Sequence, residues 1–147
     1  IFDGVLARRL GVATANLRRL DSAADTLFYA ACAFAAWYLY PAAITDRLVP
    51  LAVLAVLEVT RYVVDFLKFR REASYHMWSS KVWGIALFTG FFSLLVLGSS
   101  GVWVSCAIYA GIVADLEGLA ISIVLPRWQA DIPSFVHALR ERRNAGI

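Results

Sequence analysis

Four residues near the start of the chain have the types and spacing for metal-assisted chemistry: Asp3, Arg8, Asp21 and Asp25. Asp21 and Asp25 are four positions apart, as are Asp3 and Ala7, and Gly4 and Arg8. On a helix, residues four apart share a face. Two helix ends facing one another would then bring three carboxylates together. Carboxylate oxygens are the ligands that hard divalent cations such as Mg²⁺ prefer. Taken alone, these residues read as an acidic metal site at the ends of very apolar segments.

Those segments must hold the site in place. Of the 147 residues, 61% are apolar, and the mean hydropathy is +0.67. A soluble domain of ordinary composition is nearer half apolar. Runs over residues 20–40, 48–69, 82–97 and 103–125 approach or reach the roughly 20 residues that cross a bilayer. Residues 1–10 read as the end of an earlier helix that stops near Gly11. The expected fold is all-α: a polytopic transmembrane helical bundle with four full spans plus that helix end, forming one domain over 1–147. No alternating strand pattern points to a barrel. The chain starts at Ile1 without a signal peptide, so the first part of the fold is expected to lie before it. A final segment over 130–143 has Phe135, Val136 and Leu139 on one side, with Arg140, Arg142 and Arg143 nearby. It is expected to be an amphipathic helix on the inner membrane surface.

Charge placement orients the spans. The net charge is +3. Arg8, Arg9, Arg18 and Arg19 form one basic cluster, Lys68, Arg70, Arg71 and Lys81 a second, and Arg127, Arg140, Arg142 and Arg143 a third. Basic connections thus alternate with nearly neutral ones, as the positive-inside rule expects. No basic face is left over for nucleic acid. Cys32 and Cys106 lie within apolar runs and read as free packing thiols. Glu58, Arg61 and Asp65 share one face of the second span, as an internal ion-pair ladder or the lining of a wet cavity. Asp115 and Glu117 sit in the fourth span on different faces, to line that cavity or pair with Arg61. A transporter using these charges would need a broken helix or an internal repeat, and neither is visible. Ala110, Ala114, Gly118 and Ser122 recur every four residues, a stripe suited to close helix packing. In the polar 68–81 connection, Lys68, Arg70 and Lys81 are candidates to bind an acceptor or lipid phosphate. The alternative is an interfacial anchor built with Trp78 and Trp83.

Asp3-Gly4-x-x-Ala7-Arg8 followed by Asp21-x-x-x-Asp25 resembles the signature of the CDP-alcohol phosphatidyltransferases, D-x-x-D-G-x-x-A-R-x8-G-x3-D-x3-D. Six positions match in register. Leu17 stands where the family has its second glycine, and the family's first aspartate would fall three positions before Asp3. The resemblance implies a six-helix fold whose first helix and part of the second precede Ile1. It implies transfer of a phosphatidyl group from a CDP-linked lipid such as CDP-diacylglycerol to a small alcohol, with release of CMP, in phospholipid biosynthesis. Asp3, Asp21 and Asp25 would hold Mg²⁺ or Mn²⁺, with two ions expected. Gly4, Ala7 and Arg8 would hold the CDP moiety, and Asp25 would be the general base. The acceptor stays open among inositol phosphate, glycerol phosphate and serine, and the basic connection favours a phosphorylated one. The resemblance further implies a bacterial inner-membrane protein with its site at the cytoplasmic face, and allows a homodimer. Leu17 and the first aspartate motivate the alternative, a catalytically inactive membrane protein with a structural or regulatory role.

Overall fold

The computed structural model describes the backbone of residues 15–71 and 75–144, and the side chains of 24–71 and 75–144. The described residues are helical, without strands. In chain order they form α1 (Ala15–Leu39), α2 (Pro41–Thr45), α3 (Leu48–Phe69), α4 (Trp78–Phe91), α5 (Val102–Val124) and α6 (Phe135–Asn144). A single π-helical turn, Phe92–Val96, extends α4. The helix end expected over residues 1–10 lies outside the described residues.

Local chemistry sets the boundaries. Pro41 occupies the first turn of α2, where its missing N–H costs no helical hydrogen bond. The short helix α2 therefore fills most of the connection between the expected 20–40 and 48–69 spans. Arg70 ends α3 in the left-handed conformation, φ 55°, with its N–H bonded to the Phe66 carbonyl at 3.0 Å. Leu125, held extended at ψ 127° by the following Pro126, ends α5. α4 begins at Trp78, four residues before the expected start at 82. Ser79, Ser80 and Lys81 look like loop residues, but they sit in a first helical turn whose N–H groups need no helical acceptor. The Trp78 N–H donates to the Pro133 carbonyl at 3.2 Å.

α3, α4 and α5 form the centre, and small residues let them approach. A methyl group added at Gly90 would stand 3.0 Å from the Ala107 Cβ. One at Gly111 would stand 2.7 Å from Trp83 Nε1 and 2.9 Å from Leu54 Cδ1, and one at Gly118 would stand 3.0 Å from Arg61 Cδ. The small-residue stripe of α5 is thus the seam against α3 and α4, with Ala114 and Ser122 fully buried. Apolar clusters close the two ends of the bundle. One contains Ala36, Ala43, Leu94, Val104 and Ile108. The other contains Met77, Ile121, Leu125, Ile132 and Ala138, with Phe69, Tyr75 and Phe135 packed on it.

The outside is apolar. Phe34, Val49, Leu67, Ile85, Phe88, Trp103, Val113 and Ile123 are all exposed. So much open apolar surface is unusual for a chain bathed in water. The segments Trp78–Val96 and Val102–Val124 are long and apolar enough to cross a membrane. α3 is comparably long at 22 residues, and turns Glu58, Arg61 and Asp65 toward α5.

Candidate functional site

α1 carries the second half of the acidic motif. It runs unbroken from Ala15 to Leu39, so Asp21 and Asp25 lie one turn apart on one face. The Asp25 side chain is exposed. Four residues on, Tyr29 packs on Phe91 with ring centroids 6.1 Å apart, and farther along Ala36 is buried in an end cluster. Packing of the second half of α1 therefore holds Asp25 on a rigid rod while leaving its carboxylate open. Asp3, Gly4, Ala7 and Arg8, and the side chains of Leu17 and Asp21, lie outside the described residues. Among the described residues, no group of three His, Cys, Asp or Glu is close enough to share an ion. Asp25 alone of the expected ligands has a described side chain, and its exposed carboxylate is a hard oxygen donor of the kind that Mg²⁺ takes.

A second polar constellation lies inside the bundle. Arg61 on α3 bonds Glu58 one turn back at 3.0 Å and reaches Asp115 on α5 at 3.1 Å. Asp115 is completely buried. Farther along α3, buried Asp65 accepts a hydrogen bond from Ser122, whose hydroxyl lies 3.2 Å from the Tyr75 hydroxyl. Burial raises the pKa of the Tyr75 hydroxyl above its ordinary value. Arg61, Asp65, Tyr75, Ser80 and Trp83 line a cavity of about 150 Å³. An ion pair along the α3 face, Arg61–Glu58, and a cavity lined by Arg61 and Asp65 are therefore both present. The sequence places Arg61 and Asp115 as candidate partners and Tyr75 and Ser80 only within a polar connection, and Ser122 reads only as a packing residue. Glu117 serves a different end of the fold. It accepts the Phe135 N–H at 3.0 Å and so caps the start of α6.

The basic candidates separate from one another. Lys68 Nζ donates to the Ser122 and Ile123 carbonyls at 2.9 and 2.8 Å, in the last turn of α5, where helix carbonyls lack helical partners. Lys81 lies 4.3 Å from the centre of the Trp78 ring, and Arg70 is the exposed left-handed cap of α3. Both cysteines are free.

The family model for CDP-alcohol phosphatidyltransferases matches residues 1–124. No curated protein and no solved structure matches the chain. The matched region takes in the acidic motif and every helix from α1 to α5, and leaves α6 beyond its end. A match over most of the chain, joined to an all-helical bundle that carries the Asp21–Asp25 pair on one continuous helix, places this protein in the CDP-alcohol phosphatidyltransferase family.

Proposed function

We propose that the protein transfers a phosphatidyl group from CDP-diacylglycerol or a related CDP-lipid to a small alcohol, releasing CMP. Membership of the family implies phosphatidyl transfer from a CDP-alcohol in phospholipid synthesis. The observation that carries the finer reading is the open carboxylate of Asp25, one helical turn beyond Asp21. Transfer at a pyrophosphate needs charge neutralisation and positioning more than covalent catalysis. Asp25 takes the proton from the attacking hydroxyl as its oxygen bonds to phosphorus and the bond to the CMP oxygen breaks. Arg8 pairs with phosphate, and Gly4 and Ala7 leave room for the nucleotide. Asp3, Asp21 and Asp25 would hold Mg²⁺ or Mn²⁺, which when bound neutralises the phosphate oxygens. The two apolar spans and the alternating basic connections support a membrane protein whose site faces the cytoplasm, and the membrane of this proposal is a bacterial inner one.

The test is CMP release by the full-length protein in detergent, supplied with CDP-diacylglycerol, Mg²⁺ or Mn²⁺, and inositol phosphate, glycerol phosphate or serine. A general base contributes about 10²–10⁴-fold, so Asp25→Asn lowers kcat by that factor and a chelator abolishes release. No CMP from any acceptor, or an Asp25→Asn enzyme as fast as the parent, overturns the proposal.

A further inference from the structure

The last helix does not belong to the family match, which ends at residue 124, yet one of its faces packs on the bundle. Ala138 is fully buried against Met77, Ile121, Leu125 and Ile132, and Phe135 packs on the same cluster. Glu117, from within α5, caps the first N–H of α6. Phe135 therefore turns inward, away from Val136 and Leu139, with which the sequence groups it.

The outward face of α6 has its own pattern. Val136, Leu139, Arg140 and Arg143 fall at i, i+3, i+4 and i+7, a single stripe. Val136 is 54% and Leu139 44% exposed, and both arginines are exposed. The stripe holds no carboxylate. Glu141, the acidic residue of α6, lies on another face and accepts a hydrogen bond from Gln129.

The same end of the bundle carries cations stacked on aromatic rings. Arg71 lies 5.4 Å from the Trp128 ring centre and Lys81 lies 4.3 Å from that of Trp78. Trp78 is 65% exposed and begins a segment long and apolar enough to cross a membrane. Tryptophan at the end of such a segment favours the headgroup layer.

We infer that α6 is a docking surface for anionic phospholipid headgroups on the membrane the bundle itself occupies. Val136 and Leu139 enter the acyl boundary while Arg140 and Arg143 pair with lipid phosphates. The Trp78–Lys81 and Trp128–Arg71 pairs continue the surface at headgroup depth. Two exposed aliphatic side chains interleaved with two arginines suit an interface that is apolar on one side and negatively charged on the other. An acidic protein surface would satisfy the arginines alone.

Docking of this kind needs no catalysis, and its test reads none. The full-length protein, carrying Val136→Cys in a background with Cys32 and Cys106 replaced by serine, is labelled with an environment-sensitive fluorophore. It is reconstituted in nanodiscs of phosphatidylcholine alone or with about one-third phosphatidylglycerol. The expected result is a blue-shifted emission only in the anionic discs, reversed by high salt. Each surface arginine supports about five-fold of the docked-to-free ratio, so Arg140→Gln with Arg143→Gln lowers that ratio about 25-fold. Lysine at both positions restores it. These arginines are exposed, so the fold tolerates the change, and circular dichroism of each variant verifies that. Equal emission in both discs overturns the inference, as does an anionic shift that the double glutamine variant retains. A shift that needs an added acidic protein in neutral discs assigns the surface to a protein partner and overturns it as well.

Discussion

Replacing Arg61 by leucine should be among the most damaging single changes in the described fold, and the reason lies in a neighbour rather than in Arg61 itself. Arg61 divides its guanidinium between Glu58 at 3.0 Å and Asp115 at 3.1 Å. Glu58 is 32% exposed, whereas Asp115 has no exposure at all. Removing one partner of a buried pair costs about 3–5 kcal/mol, because the other charge is stranded. Polar contacts between membrane helices average only about 0.6 kcal/mol when the unfolded reference also finds partners. The two figures differ enough for one measurement to decide between them. The Asp115→Leu variant keeps a branched side chain of similar outline and leaves Arg61 its bond to Glu58, so it should cost about 1 kcal/mol. The double variant removes both charges and should be within about 1 kcal/mol of the parent. The coupling is then at least about 3 kcal/mol, read as a double-mutant cycle from unfolding in mixed micelles followed by circular dichroism. An Arg61→Leu cost below about 1 kcal/mol, or a double variant as unstable as the two singles combined, would refute the idea that a stranded carboxylate dominates.

Three further outcomes follow from the geometry. Gly111→Ala places a methyl 2.7 Å from Trp83 Nε1 and 2.9 Å from Leu54 Cδ1, and should cost about 1–3 kcal/mol through overpacking. Gly84→Ala, which meets nothing within 4 Å, should be neutral or stabilising, and the contrast is measured as a difference in Tm. Lys68→Met releases the Ser122 and Ile123 carbonyls and should cost about 1–2 kcal/mol, with faster amide exchange confined to the last turn of α5. Arg47→Met breaks bonds to the Ser105 hydroxyl, the Ala43 carbonyl and the Ser100 carbonyl. It should make the 98–101 turn a protease-sensitive point while leaving CMP release unchanged, because Arg47 sits beyond the second half of α1, away from Asp25.

Much of the scaffold was legible because long apolar runs punctuated by proline and charge leave few alternatives. α3 begins and ends where its run does, and α5 is shifted by one residue. The start of α4 was not legible, because serines and a lysine in a first helical turn look the same as serines and a lysine in a loop. Nor was the π-helical turn, since nothing in Phe92–Val96 distinguishes it from ordinary helix. Pairing between distant helices was only half visible. Arg61 and Asp115 have charges that invite each other, but Glu117 shows no trace in sequence of its partner, a backbone N–H on α6. The acidic motif was read from spacing alone, and the continuity of α1 through Asp21 and Asp25 bears out the helical part of that reading. The positions and partners of Asp3 and Arg8 lie outside the described residues.

The π-helical turn also bears on how a span of this kind can change length. Inserting a residue into a regular helix rotates everything beyond it by about 100°. Here the widened turn, closed by the Leu97 N–H on the Phe92 carbonyl at 3.3 Å, takes up such a residue locally, and Ser93 and Leu94 are buried side by side. Ser93 then donates to the Ser99 carbonyl at 3.1 Å and accepts the Ser99 N–H at 2.9 Å through its own carbonyl, fastening the following turn. α4 with its widened turn thereby carries one residue more than a regular helix of the same number of turns, and Ser80 and Trp83, which precede that turn, keep their place at the polar cavity.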